Sequence, residues 1–249
     1  MIVTKLKQIN IKFNVFLLTL IIIDLFFITA SWINNHTDLL NNNNFDIKKD
    51  LGFPEAFQYF KEFFTAVIFI KIFKKSSDHI YIIWSLFFTY LLLDDSIQIH
   101  ENVGTAISNY FFDVNSEIVA LGLRGQDFGE LTISCLVGSV FIFFFIKYFY
   151  KSKQVVKDVS FNIAFLVLIL VFCGVFIDMA HIIYPKFIGI ATLEDGGEMI
   201  AMSLICWYSY EILNFNSKPV PSILNPLIIK TLNRIANYFY NLYFRLHLK

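Results

Sequence analysis

Four short segments of the sequence gather acids, amides and imidazoles at spacings that could do chemistry. They are Asp94-Asp95-Ser96-Ile97-Gln98-Ile99-His100-Glu101, Arg124-Gly125-Gln126-Asp127-Phe128-Gly129-Glu130, Asp178-Met179-Ala180-His181 and Glu194-Asp195-Gly196-Gly197-Glu198-Met199. On a helix turning ~100° per residue, Asp94, Gln98 and Glu101 fall within ~60° of one another, and Asp95 and Asn102 widen that wedge to ~120°. Glu194 and Glu198 lie ~40° apart with Asp195 on the flank, and Asp178 shares a face with His181. His100 projects roughly opposite the acid wedge, near Ser96.

Carboxylates with one or two imidazoles suit zinc, manganese or iron, and the absence of thiols from these segments argues against copper(I) or a Cys-ligated zinc. The expected metal ligands are Asp178, His181, Glu194, Glu198, Asp95 and His100. Asp94 or Glu101 is the expected general base toward a metal-bound water, whose pKa the ion lowers. Arg124, Asp127, Glu130 and Asp195 are expected in support, with Arg124 offsetting part of the acid cluster. Asp178-x-x-His181 has the i, i+3 spacing of di-metal carboxylate bundles, although those use Glu and two such pairs. Asp24 and Glu62 stand alone on apolar stretches, where a single acid is more often a helix–helix hydrogen-bonding group than part of a site.

These segments must be positioned by membrane helices. Hydrophobic residues make up 57% of the 249-residue chain, charged residues only 16%, and Phe occurs 30 times. A soluble domain would carry roughly 25% charged residues. The formal net charge is zero, which gives no basis for a nucleic-acid partner. Cys135, Cys173 and Cys206 fall within apolar runs and read as buried small hydrophobes, not as a disulfide frame.

A helix needs about 20 largely apolar residues to cross the hydrocarbon. Six stretches qualify: 13–34, 56–74, 80–101, 131–150, 161–183 and 189–213. The expected fold is all-α and polytopic, a six-helix transmembrane domain over 1–214 followed by a cytoplasmic tail, 215–249. Within the tail, Leu232, Ile235, Ala236, Phe239, Leu242, Tyr243 and Leu246 recur at helical spacing, predicting an amphipathic helix on the leaflet.

Fifteen of the 20 Lys and Arg residues fall on the side of the termini and five on the other. The positive-inside rule therefore places both termini in the cytoplasm, as in a bacterial inner membrane protein. Sixteen of the 20 acids belong to the opposite side or its half of the membrane. Threading six spans brings the end of span 3, the start of 4, the end of 5 and the start of 6 to that side.

The segments Leu93-Asp94-Asp95 followed by His100-Glu101, Asp178-Met179-Ala180-His181 and Glu194-Asp195-Gly196-Gly197-Glu198-Met199 resemble motifs of an uncharacterised group of bacterial multi-span proteins. Those proteins tend to carry an Asp-Glu or Asp-Asp pair before a His-Glu and a late Glu-rich span. The resemblance covers spans 3 to 6 and implies no activity. Ser96-x-x-x-His100 is also similar to the Ser…His span motif of alkaline ceramidases and related membrane hydrolases, which helps to hold a catalytic zinc. Their late-span His-x-x-x-His is missing here, Glu194-x-x-x-Glu198 has that spacing with different ligands, and they have seven spans.

The leading expectation is a metal-dependent membrane hydrolase or oxidoreductase, acting at the outer leaflet on a lipid or small molecule. The alternative is a transporter or channel moving protons or divalent cations through an acidic vestibule. Against it, the inner halves of spans 3 to 6 are nearly free of ionisable groups. A haem or quinone protein using His100 and His181 is disfavoured by the surrounding acids, and a non-catalytic assembly subunit would use the acids as helix glue.

Overall fold

A computed structural model describes residues 2–37, 39–40, 42–111, 123–184, 189–214, 223–224 and 228–236, with side chains from Val15 onward. The order is α1 (Ile2–His36), a 3-10 turn (Asn43–Phe45), α2 (Phe53–Ser76), α3 (Ile80–Ile97), α4 (Ile99–Phe111), α5 (Gly125–Phe149), α6 (Gln154–Val171), a π turn (Phe172–Ile177), α7 (Asp178–Ile183) and α8 (Ile190–Asn214). Residues 228–236 form a further helix, α9. The protein is all-α, with no strand among the described residues.

Four of these helical stretches are long and apolar enough to cross a membrane: Val15–His36, Ile80–Ile97, Gly125–Phe149 and the continuous run Gln154–Ile183. The helices α2 and α8 are as long, at 24 and 25 residues, but carry more charge. The difference has a packing cause. α8 meets α1, α2, α6 and the π turn, and α2 meets α3 and α8. These two helices therefore spend most of their surface on protein, whereas only 6% of the apolar stretch of α5 is buried. Among the four apolar stretches, that of α5 is the least covered and Ile80–Ile97, at 39% buried, the most.

The sequence predicts one helix over 80–101, but the chain breaks at Gln98, which adopts a left-handed conformation (φ 53°). Two side chains stitch the corner. Asp94 Oδ1 accepts the His100 backbone N–H at 2.8 Å, and the Asn102 amide donates to the Gln98 carbonyl at 2.8 Å. The first satisfies a backbone N–H that the start of α4 leaves without a helical partner, and Asn102 Nδ2 also reaches the Ile97 carbonyl at the end of α3 (3.2 Å). The consequence is that Glu101 and Asn102 do not share the face of Asp94.

Close backbone approaches occur where side chains are smallest. Gly196 abuts Ile28 of α1, and Gly197 abuts Cys173 in the π turn. The tightest approach joins α4 to α5, where a Cβ on Gly129 would meet the Gly104 backbone and one on Gly104 would lie 2.7 Å from Glu130 N.

One end of the bundle collects the basic residues of α2, α5 and α6, and α9 packs beneath it. There Ser152 Oγ donates to Asp78 (2.6 Å), Asn233 Nδ2 to Asp158 (2.9 Å) and Tyr150 Oη to the Ala236 carbonyl (2.8 Å). On α9, Ile229 is buried and Ala236 packs on the core, but Ile235 is exposed. The tail pattern is thus met in part; Phe239, Leu242, Tyr243 and Leu246 lie outside the described residues. Cys173 and Cys206 are buried as expected, but Cys135 is exposed on the uncovered face of α5.

The α4–α5 contact generates a test. Gly129→Ala forces backbone apart and should cost about 1–3 kcal/mol, read as a lowered melting temperature in detergent. Gly138→Ala, at a position with open space around it, should leave the melting temperature unchanged or raise it.

Candidate functional site

The other end of the bundle holds the four acidic segments. A cavity of about 170 Å3 opens there, lined by the 47–50 loop and by Glu55, Gln58, Asp95, Gln98, His100, Glu101, Asp195, Glu198 and Met199 among others. It has room for several waters. One of its lining residues, Met199, is also a partner of a buried lysine.

Lys61, on α2, has no exposed surface. Its ammonium donates to Asp24 Oδ1 on α1 (2.9 Å), to the Met199 carbonyl on α8 (2.7 Å) and to Ser203 Oγ on α8 (3.2 Å). Ser203 Oγ in turn donates to Asp24 Oδ2 at 2.5 Å. All three ammonium protons therefore have partners, as a buried lysine requires. On the sequence alone, Asp24 has a helix–helix bonding role and Lys61 counts only among the five cations of the outer side. The bonding role of Asp24 fits the contact; the importance of Lys61 was missed. The available signal is a lone acid, Asp24, in one apolar stretch and a cation, Lys61, in the next, although Glu62 beside Lys61 masks it.

Next to Lys61, the Glu62 carboxyl is 1% exposed and lies against that of Asp95 on α3. The Asp95 carbonyl accepts from Tyr59 Oη at 3.1 Å. Glu198 approaches the same region from α8. Its carboxylate occupies the notch left by Gly174 in the π turn, where a Cβ would collide with it. A π turn widens a helix by one residue, and such bulges are frequent at functional sites.

Two imidazole pairs flank these acids. His181 Nδ1 lies 2.8 Å from Glu194 Oε2, and Glu194 also bonds Asp178. His100 Nδ1 lies 3.2 Å from Asp94 Oδ2, off the line of a good hydrogen bond. The close Asp94 carboxylate still dominates, raising the His100 pKa to about 9 against the opposing effect of burial. Partial burial pushes the Glu101 carboxyl up, with His100 pulling it back. The break at Gln98 is what swings His100 onto Asp94, contrary to the continuous-helix expectation.

The α5 segment is self-contained. Arg124 and Asp127 form a reciprocal cap, with Arg124 Nη2 2.8 Å and its backbone N 2.6 Å from the buried Asp127 carboxylate. Arg124 is paired directly with Asp127, and Glu130 and Asp178 lie within its electrostatic reach. Glu130 accepts from Gln126 Nε2 at 2.8 Å. Lys186, another outer-side cation in the sequence, lies outside the described residues.

The expected ligands are therefore brought to one end but taken up in separate contacts: two pairs, Asp94 with His100 and Asp95 with Glu62, and one group of three, Glu194 with His181 and Asp178. Among the described residues, no three His, Cys, Asp or Glu side chains form a group that could hold a metal ion. Asp94 is also committed to capping α4, which leaves it poorly placed as a general base.

Residues 63–212 match the model of a family described as Domain of unknown function (DUF8692), and the chain belongs to that family. The matched region includes all four acidic segments and begins just after Lys61 and Glu62. No curated protein and no solved structure matches the chain.

Two tests follow from this geometry. Lys61→Met leaves Asp24 buried without its cation and should cost roughly 3–5 kcal/mol, whereas the double change with Asp24→Asn should cost less than the single effects combined, measured by denaturant unfolding. For His100 the folded pKa of about 9 lies above its ordinary value of 6.5. Its contribution to stability is fully present below that ordinary value and fades as pH rises through the folded one. The melting-temperature gap between wild type and His100→Asn should therefore be widest near neutral or mildly acidic pH and close in alkali.

Proposed function

We propose that the chain is a cation-coupled carrier of the bacterial cytoplasmic membrane, crossing it six times with both termini at the basic, cytoplasmic end. In this reading α8 is the inner span, packed by α1, α2, α6 and the π turn, α2 lies between α3 and α8 with Phe60, Phe63 and Ile70 exposed, and the acidic cavity faces outside. The observation that carries the proposal is the Lys61–Asp24 ion pair at the cavity's inner end, with Met199 shared between cavity wall and ammonium. Charged groups within membrane spans are costly and mark ion pathways by default.

Geometry also supplies a coupling route. Lys61 ties α2 to both α1 and α8 through its three contacts. A cation arriving beside Glu62 would repel the neighbouring ammonium and loosen its hold on Asp24 and Met199. Beyond the pair, Phe69, Trp84 and Phe88 stack with centroids 5.8–6.4 Å apart and fill the basic-end half of the core. That arrangement suits a carrier open on the acidic side and closed on the other. The sequence objection to transport is that the inner halves of spans 3 to 6 are nearly free of ionisable groups; Lys61 and Asp24, on α2 and α1, carry the polar series as far as the middle of α1.

The metal-dependent hydrolase or oxidoreductase reading draws on Asp178, His181 and Glu194 being in contact. A single ion there would have to replace the bonds Glu194 makes to both partners. Stoichiometric zinc, manganese or iron in the purified protein, lost on Glu194→Gln, would favour that reading.

Carrier function is tested by reconstitution in proteoliposomes and recording of currents on jumps of H+, Na+, K+, Mg2+ and Ca2+ across a supported membrane. Wild type should give a transient current with at least one of these ions, reduced tenfold or more in the Lys61→Met/Asp24→Asn protein. Absence of current with all five would overturn the proposal.

A further inference from the structure

Three residues on α2 share a stripe: Gln58, Glu62 and Thr65 follow one another at four and three positions, within ~60° of a common direction. They are 7%, 1% and 0% exposed. Each carries an oxygen without a hydrogen-bond partner among the described residues, namely Gln58 Oε1, Glu62 Oε2 and Thr65 Oγ1. The Glu62 carboxyl otherwise meets Asp95, and the Thr65 hydroxyl adjoins only the thiol of Cys206, a weak partner.

Buried acceptors without donors are destabilising, and native proteins rarely leave several together. The nearest positive group cannot serve them, because the Lys61 ammonium has its protons on Asp24, Met199 and Ser203. Gln58 lines the cavity beside Asp95 and Glu198, so the stripe begins where the cavity ends. A row of acceptor oxygens, lacking donors and reached from an acidic opening, calls for a positive guest.

We infer that Gln58, Glu62 and Thr65 form the binding track for a hard, oxygen-ligated inorganic cation that enters through this cavity. The ligand types are amide, carboxylate and hydroxyl oxygens, the set that suits alkali and alkaline-earth ions and not zinc-like metals. Asp95 adds a second carboxylate from α3. This inference rests on the carrier reading for the route of entry, while binding itself is measurable without transport.

The test uses the full-length protein in detergent. Melting temperature and isothermal titration are followed with LiCl, NaCl, KCl, MgCl2 and CaCl2, each against choline chloride at equal ionic strength. At least one of these ions should raise the melting temperature and bind with a defined stoichiometry. Gln58→Leu should weaken that binding at least tenfold, and Gln58→Glu, which keeps an oxygen at the position, should retain it. In choline, Gln58→Leu should melt at or above wild type, since removing an unpartnered acceptor carries no loss; this separates a binding defect from misfolding.

Equal shifts in wild type and Gln58→Leu would overturn the inference. So would no shift with any of the five salts, or binding of zinc or manganese alone. Currents in liposomes without a cation-dependent shift would remove this site and leave the carrier, and binding without currents would do the reverse.

Discussion

A lysine ammonium with no access to water constrains most of this structure. It must keep its protons on acceptors, so three helices are fixed by one atom: Asp24 on α1, Lys61 on α2, and Met199 with Ser203 on α8. None of the three can slide or rotate far without stranding a charge in a low dielectric. The glycines of α8 become intelligible in this light. Gly196 lets α1 come close enough for Asp24 to reach, and Gly197 brings the π turn against the same helix. Buried charge and small residues are two parts of one requirement, that the inner helices approach closely.

That requirement also explains the uneven apolarity. A helix packed by protein on several sides can bury charge, as α2 does at Lys61 and Glu62 and α8 at Glu211. A helix covered on one side only has to be apolar elsewhere, as the long uncovered run of Leu136, Val140, Phe143 and Ile146 on α5 shows. Hydropathy therefore picks out the periphery of the bundle more clearly than its centre.

The helices themselves were largely legible in the sequence, because long apolar runs broken by charged turns leave little choice. The convergence of four acidic segments at one end was legible too, since it depends only on the parity of crossings. Details set by tertiary contact were not. Gln98 is an ordinary residue for a helix interior, and nothing local announces that Asp94 and Asn102 will cap a break there. Lys61 followed by Glu62 reads as a solvated charge pair until Asp24 is seen across from it. The pairing of Glu194 with His181 and Asp178, which takes up ligands expected for a metal, depends on α7 being turned by the π segment, and no single-sequence periodicity reveals that turn.

The π turn has a consequence in terms of counting. It contains one residue more than the α-helix on either side would use for the same stretch, and that surplus sets the compass bearing of all that follows. Were the same residues, with none removed, to close as an ordinary α-helix, the surplus residue would swing Asp178 and His181 by ~100° about the axis. The imidazole would then point away from Glu194, and the hollow that Gly174 offers to Glu198 would be gone. In this bundle the meeting of helices α6–α7 and α8 depends on the arithmetic of one turn as much as on the identity of its side chains.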